Sequence, residues 1–301
     1  MADPIKVVRT PEDRFEKLKD YPFGPHYVSV DSTVRMHYVD EGNKHDPVLL
    51  LVHGEPSWSY LYRHVIPPLV KQGYRVIAPD LVGFGKSDKP IDPEVHTYAQ
   101  HTRWLMAFIQ ALKVDPVHLY AHDWGGMIAL RIVAEHPERF ASVIASYAFL
   151  FTGAESVPES FRNWQRFSQT DVNFLASAVV NGGTYTELSE DSKAAYDAPF
   201  PDDTYKAGAR RFPMLIPTDP HDPEARTNAQ QREQLKTFTR PFLTIWGDNG
   251  DEMWQGKEKI LQHEIPGAQR QDHRILHADH FLQEDQSMLL TKIISNFLST
   301  L

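Results

Sequence analysis

One stretch of this sequence combines residue types that could do covalent chemistry. Val117-His-Leu-Tyr-Ala121 is a short apolar run, followed by His122, Asp123, Trp124 and the pair Gly125-Gly126, then by Met127, Ile128, Leu130, Ile132 and Val133 at helical spacing. A strand that passes at once into a helix, through two residues without side chains, makes a sharp corner whose tip residue is held out beyond the strand. Here the tip is Asp123. Corners of this kind usually present a serine, which attacks carbonyl carbon. An ionised aspartate suits displacement at a saturated carbon, which leaves an ester on the protein. Asp is also a favoured helix N-cap, but a cap needs no such corner, so the nucleophile reading is preferred.

A nucleophile needs partners, and in an open α/β sheet they gather at the carboxyl ends of the strands. After the run Pro47-Val-Leu-Leu-Leu-Val-His53 comes Gly-Glu-Pro-Ser-Trp-Ser-Tyr-Leu-Tyr-Arg63, in the place of the loop that supplies one oxyanion-hole N–H. The donors expected are the backbone N–H groups of Glu55 and of Trp124, the residue after the nucleophile. After Phe242 to Trp246 come Asp248 and Asp251, and past the last strand comes His280. Nucleophile, acid, histidine is the chain order expected of a triad on such a sheet. His263, His273 and His277 compete with His280, but only His280 lies in the loop beyond the last strand. Asp248 ends its strand directly and could cap the next turn. Asp251, deeper in the loop that must reach a histidine, is the preferred acid. Two patterns carry no site. Gly83-Phe-Gly-Lys-Ser87 ends like a phosphate loop, but Asp80 stands where its first glycine belongs. His277-Ala-Asp-His280 lacks a third metal ligand at strand spacing, because position 275 is Ile.

The elements that must position these groups follow from periodicity. Strands are expected at 26–30, 35–39, 47–53, 74–80, 117–121, 142–148, 241–247 and 272–277, with helices at 60–71, 98–112, 255–263 and 285–298. The first two strands alternate in polarity, as edge strands do, and the third is apolar throughout, as a strand covered on both faces is. Strand and helix then alternate, which means a parallel sheet with crossover helices. From 151 to 225 the rhythm stops in favour of helical and loop material rich in Pro, Asp and aromatics. That segment reads as an inserted helical cap, with 1–150 and 226–301 forming one α/β core.

Composition narrows the function classes. The 301 residues are 41% hydrophobic and 24% charged, ordinary for a chain that buries a sizeable core. A net charge of -9 argues against nucleic acid or an anionic membrane as partner. With no cysteine, disulfides, thiolate metal sites and cysteine nucleophiles are excluded. The N-terminus has no apolar leader pattern and no window is long enough to span a bilayer, so a cytoplasmic protein is expected.

With these residues in hand, the sequence resembles the haloalkane dehalogenases of the α/β-hydrolase superfamily. The likeness runs from about Arg9. It rests on Arg9-Thr-Pro-Glu-Asp-Arg-Phe15, His53-Gly-Glu-Pro-Ser-Trp-Ser-Tyr-Leu-Tyr-Arg63, Asp80-Leu-Val-Gly-Phe-Gly-Lys-Ser-Asp88, Asp123-Trp-Gly-Gly126, Ala198-Pro-Phe-Pro201 and His280-Phe-Leu-Gln-Glu284. The resemblance implies an α/β-hydrolase fold with a mostly parallel eight-stranded sheet flanked by helices and an inserted helical cap. It implies cleavage of carbon–halogen bonds with water, yielding a primary alcohol, halide and a proton, with no cofactor and no metal. In the branch with glutamate in the His-Gly-Glu-Pro loop, two tryptophan indoles hold the leaving halide. Trp124 matches the first and Trp164 of the cap the second. Phe161, Phe212, Pro213, Met127 and Met253 are expected as apolar pocket walls for an uncharged haloalkane, and a monomer is expected. The sequence departs from the family at Asp279, where glycine commonly precedes the histidine, and at His122, where glutamine is frequent in this branch. One residue is also inserted in Gly247-Asp-Asn-Gly-Asp251. The rival reading is an epoxide hydrolase that activates oxygen with cap tyrosines, for which Tyr185, Tyr196 and Tyr205 are candidates. A second rival, a non-catalytic relative that binds a small ligand, is disfavoured by the intact triad order.

Overall fold

Five consecutive residues of one face-to-face buried strand, Val48–Val52 (β3), anchor the sheet on which everything else is hung. The computed structural model describes residues 4–250 and 252–301. Before β3 come His26–Ser29 (β1) and Arg35–Glu41 (β2); after it come Arg75–Pro79 (β4), Val117–His122 (β5), Phe140–Ser146 (β6), Phe242–Gly247 (β7) and Arg274–Leu276 (β8). These eight strands form one sheet in the order β8-β7-β6-β5-β3-β4-β2-β1. The pairings β1 with β2 and β2 with β4 are antiparallel; every other pairing in the sheet is parallel. The antiparallel strands lie at one edge, as their alternating polarity demands, and the apolar β3 and β5 are central. A two-residue ribbon, Val7–Val8 with Lys89–Pro90, ties the N-terminal segment to the loop after β4.

Helices cover both faces. Tyr98–Leu112 (α2) has the expected bounds, with Thr97 accepting the Gln100 N–H as its cap. The helix expected at 60–71 is shorter, running as α1 from Ile66 to Lys71 after a turn of 3-10 helix at Ser59–Tyr62. The cause is Pro67-Pro68. A proline ring is accommodated in the first turn of a helix but clashes with the carbonyl one turn earlier, so a helix can begin there and cannot run through. Asp123–Glu135 (α3) is buried continuously from Asp123 to Val133. It lies under α2 and under Pro223–Leu235 (α8), and even its Arg131 is buried, bonded to Asn228 Oδ1 at 2.7 Å and Glu224 Oε2 at 2.6 Å.

Between β6 and β7 the described chain holds helices and no strand: Glu159–Thr170 (α4), Ala176–Gly182 (α5), Glu190–Asp197 (α6), Ala207–Arg211 (α7), then α8. Helix α8 begins at Pro223 with Asp222 as its cap, slightly ahead of the boundary read from composition. Lys257–Glu264 (α9), Leu282–Asp285 (α10) and Ser287–Ser299 (α11) complete the outer layer. No described helix is long and apolar enough to cross a membrane.

Candidate active site

The corner between β5 and α3 is as sharp as the glycines suggest. Asp123 has φ of +52°, a left-handed conformation that costs a non-glycine residue about 1 kcal/mol and that persists only where the surroundings enforce it. They do so by close approach. A side chain on Gly125 would lie 2.1 Å from the His53 carbonyl oxygen, and one on Gly126 would lie 2.3 Å from Ala148 Cβ. Helix α3 therefore begins in direct contact with the ends of the neighbouring strands, and Asp123 stands where their carboxyl ends converge.

Its carboxylate is held from three sides. Oδ1 accepts the Glu55 backbone N–H at 2.9 Å, the Trp124 N–H also donates to the carboxylate, and Oδ2 lies 3.5 Å from His280 Nε2. Burial alone would raise the Asp123 pKa. The bond and charge of His280, with the bond from the Trp124 N–H, outweigh it and leave the group below the usual carboxylate value, hence ionised. Glu55 behaves oppositely. Its carboxyl is buried, one oxygen has no hydrogen-bond partner among the described residues, and burial together with the charge of Asp123 pushes it well above the ordinary range. The loop bearing it is pinned by His53, whose Nδ1–H donates to Gly54 O at 2.8 Å while Nε2 accepts from Leu81 N at 2.9 Å.

His280 is packed among rings: Tyr147 at 4.6 Å, His122 at 4.8 Å, Phe281 at 5.0 Å and Trp254 at 6.1 Å between centroids. Its competitors are engaged elsewhere. His273 spans Thr244 and Ala268, His263 is exposed on α9, and the His277 Nδ1–H donates to Asp248 Oδ2 at 2.8 Å. The other oxygen of Asp248 accepts the Tyr185 hydroxyl at 2.9 Å. Both oxygens of Asp248 are thus committed outside the site. Asp251 lies outside the described residues.

A cavity of about 270 Å³ opens over the Asp123 carboxylate. Of the residues singled out in the sequence, Glu55, Asp123, Trp124, Phe161, Trp164, Pro213 and His280 line it. Trp124 comes from the elbow itself, wedged edge-on between Tyr98 at 5.1 Å and Phe212 at 4.8 Å. Trp164 comes from α4 across the cavity, stacked on Phe167 and Phe174. Three of the expected walls do not line it. Phe212 is fully buried behind Trp124, Met127 faces the core from α3, and Met253 is buried in the turn before Trp254. Their apolar character is spent on packing one layer down. In their place stand Val179, Gly182 and Gly183 of α5 and its C-terminal turn, with Ile216, Trp254 and Phe281. Phe281 and Trp254 had a signal in the sequence, adjacency to His280 and to the loop after β7. The α5 residues had none, because nothing in their spacing distinguishes them from any other short helix. None of Tyr185, Tyr196 and Tyr205 lines the cavity; Tyr196 is buried against Glu284. The turn Gly83 to Ser87 wraps the buried Asp80 carboxylate, which accepts the Lys86 N–H at 2.7 Å and the Ser59 N–H at 2.8 Å.

Comparison with known proteins decides the family. Residues 47–287 match the alpha/beta hydrolase fold family. The chain is 47% identical over 300 residues to a haloalkane dehalogenase of Psychrobacter cryohalolentis, covering 98% of each. The chain belongs to the haloalkane dehalogenases. A haloalkane dehalogenase of Mycolicibacterium paratuberculosis is 43% identical over 294 residues, 96% of this chain and 97% of its own. Among solved structures, the tetrameric haloalkane dehalogenase DpaA from Paraglaciecola agarilytica superposes with a TM-score of 0.90 at 33% identity, covering 99% of both chains. As a haloalkane dehalogenase the enzyme hydrolyses carbon–halogen bonds of haloalkanes, and the α/β-hydrolase fold expected from the sequence is the fold observed.

Proposed function

We propose that this dehalogenase works in two steps through a covalent ester on Asp123. The observation that carries the reading is the convergence of two backbone N–H groups, from Glu55 and Trp124, on a carboxylate whose other oxygen faces His280 at 3.5 Å inside an apolar cavity. In the first step the Asp123 Oδ2 attacks the halogen-bearing carbon. The C–O bond forms as the carbon–halogen bond breaks, and the halide leaves with the electron pair between the Trp124 and Trp164 indoles. Neutral N–H donors are sufficient for a singly charged anion in a site with little water. In the second step His280 takes a proton from water, whose oxygen attacks Asp123 Cγ. The charge on Oδ1 is held by the same two N–H groups, and collapse releases the alcohol.

Asp251 is proposed to orient His280, a reading supported by the commitment of both Asp248 oxygens to His277 and Tyr185. Residues 151–225 act as a cap over a core of 1–150 and 226–301, with Phe161 and Pro213 among the walls. A cytoplasmic monomer without nucleic-acid or membrane partners completes the reading, the net charge of -9 speaking against both of those partners. The test is intact-mass analysis of His280→Gln after treatment with 1-bromobutane. An adduct of one butyl group on Asp123, absent from His280→Gln combined with Asp123→Asn, is expected; no adduct overturns the two-step reading.

A further inference from the structure

The residue before the nucleophile has a side chain that the two steps above do not use. His122 is fully buried, at the end of β5, and its Nε2 lies 2.8 Å from the backbone carbonyl oxygen of His280. A carbonyl can only accept, so the proton sits on Nε2 and the ring is the donor. Its other nitrogen, Nδ1, is buried with no partner among the described residues. The ring packs against His280 at 4.8 Å and Phe281 at 5.6 Å. Burial first, and the proximity of His280 second, push its pKa down to about 3, so it adds no charge beside the base.

The bond joins two parts of the chain that nothing in the sequence order brings together. The backbone of His280 is clamped on both sides: its N–H donates to Asp279 Oδ1 at 2.7 Å, and its carbonyl accepts from His122. Asp279 is held in turn by Asn249 Nδ2 at 2.7 Å, and its N–H donates to Asp285 at 2.9 Å. Of these ties only His122 runs to the strand that carries the nucleophile. It adjoins Asp123 covalently and His280 through the hydrogen bond, so its length sets the distance between the two reacting groups.

We infer that His122 is a positioning residue for the second step: a neutral strut that fixes the separation of Asp123 and His280 through the His280 carbonyl. The inference rests on the two-step reading. The first step needs only the carboxylate, and the second needs the imidazole aligned with a water over the ester. Loss of the strut therefore slows hydrolysis of the ester and leaves its formation alone.

The experiment is rapid-quench kinetics with 1-bromobutane on the native enzyme, His122→Leu and His122→Gln. Bromide burst reports ester formation, and decay of the ester by mass reports hydrolysis. Losing one neutral hydrogen bond at a positioned base slows hydrolysis about 10-fold in His122→Leu, with the burst within about 2-fold of native. His122→Gln places an amide N–H near the position of Nε2 and restores hydrolysis to within about 3-fold. Equal slowing of both steps, native hydrolysis in His122→Leu, or a Gln variant no faster than Leu overturns the role of His122 alone. A native enzyme that passes through no ester overturns it together with the two-step reading. Imidazole ¹⁵N shifts of the native protein test it without any variant: His122 is neutral with its proton on Nε2, and a proton on Nδ1 overturns the strut.

Discussion

Gly54→Ala is the single change that the geometry penalises most directly at the Asp123 carboxylate. A methyl group built at Gly54 lies 2.2 Å from Asp123 Oδ1, 2.5 Å from its Cβ and 2.7 Å from its Cγ, where ordinary contact begins at 3.4 Å. The carboxylate must recede by about 1 Å, or the loop carrying Glu55 must. Either movement breaks the 2.9 Å bond from Glu55 N–H. Asp123 has little freedom to recede, because its backbone is already in the left-handed region with α3 pressed against β3 and β6. A misplacement of about 1 Å at a reacting atom costs on the order of 100-fold in rate, equivalent to about 2.7 kcal/mol of barrier. The overpacked contact costs about 1–3 kcal/mol of stability besides. The assay is single-turnover bromide release from 1-bromobutane, with thermal melting of the same samples. Gly24→Ala, where nothing lies within 4 Å, serves as the control and melts and reacts as the native enzyme does. A Gly54→Ala enzyme that releases bromide within 3-fold of native refutes the proposed role of the Asp123 carboxylate held against this loop.

Two further outcomes follow from hydrogen-bonded carboxylates. Asp80 is fully buried, which alone would raise its pKa, but the charge of and bond from His37 at 2.8 Å outweigh burial and bring it to about 2. A carboxylate depressed in the folded state stabilises above its unfolded value and loses that contribution as pH falls from about 4 towards 2. The loss is roughly 2 kcal/mol, and Asp80→Asn should flatten the fall of urea midpoints over that window; an unchanged slope in the variant would count against it. Asp285 accepts the backbone N–H groups of Tyr185, Thr186 and Asp279 at 3.0, 3.1 and 2.9 Å. In Asp285→Ala those three amides should exchange with deuterium about 10-fold faster, an effect of about 1.4 kcal/mol, and native protection there would contradict the arrangement.

What the sequence disclosed and what it concealed divide along physical lines. Asp123 was legible because an apolar strand, a tip residue and two glycines are contiguous, so the corner is local in the chain. His280 was legible because chain order around a parallel sheet leaves one loop past the last strand. The eight strands were legible by polarity alone, and α1 was overextended only where Pro67-Pro68 restarts the helix. Pocket walls were harder. Periodicity says which side chains leave water, and not whether they then meet a neighbour or a void: Met127 and Phe212 were rightly apolar and meet neighbours. The partners of Asp248 depended on Tyr185, 63 residues away in the chain, a juxtaposition that only the folded chain supplies.

The residue after His280, Phe281, donates its N–H to Gly183 O at 2.9 Å. One end of the histidine's loop is therefore seated on the segment that roofs the cavity, so that segment is not an interchangeable accessory. Transplanting the stretch between β6 and β7 from a relative to alter substrate range would import a foreign carbonyl at the point where Phe281 docks. A chimera designed by cavity volume alone would inherit a misregistered His280 loop, while one that keeps the host's 181–186 turn would exchange walls without disturbing the residues beneath them.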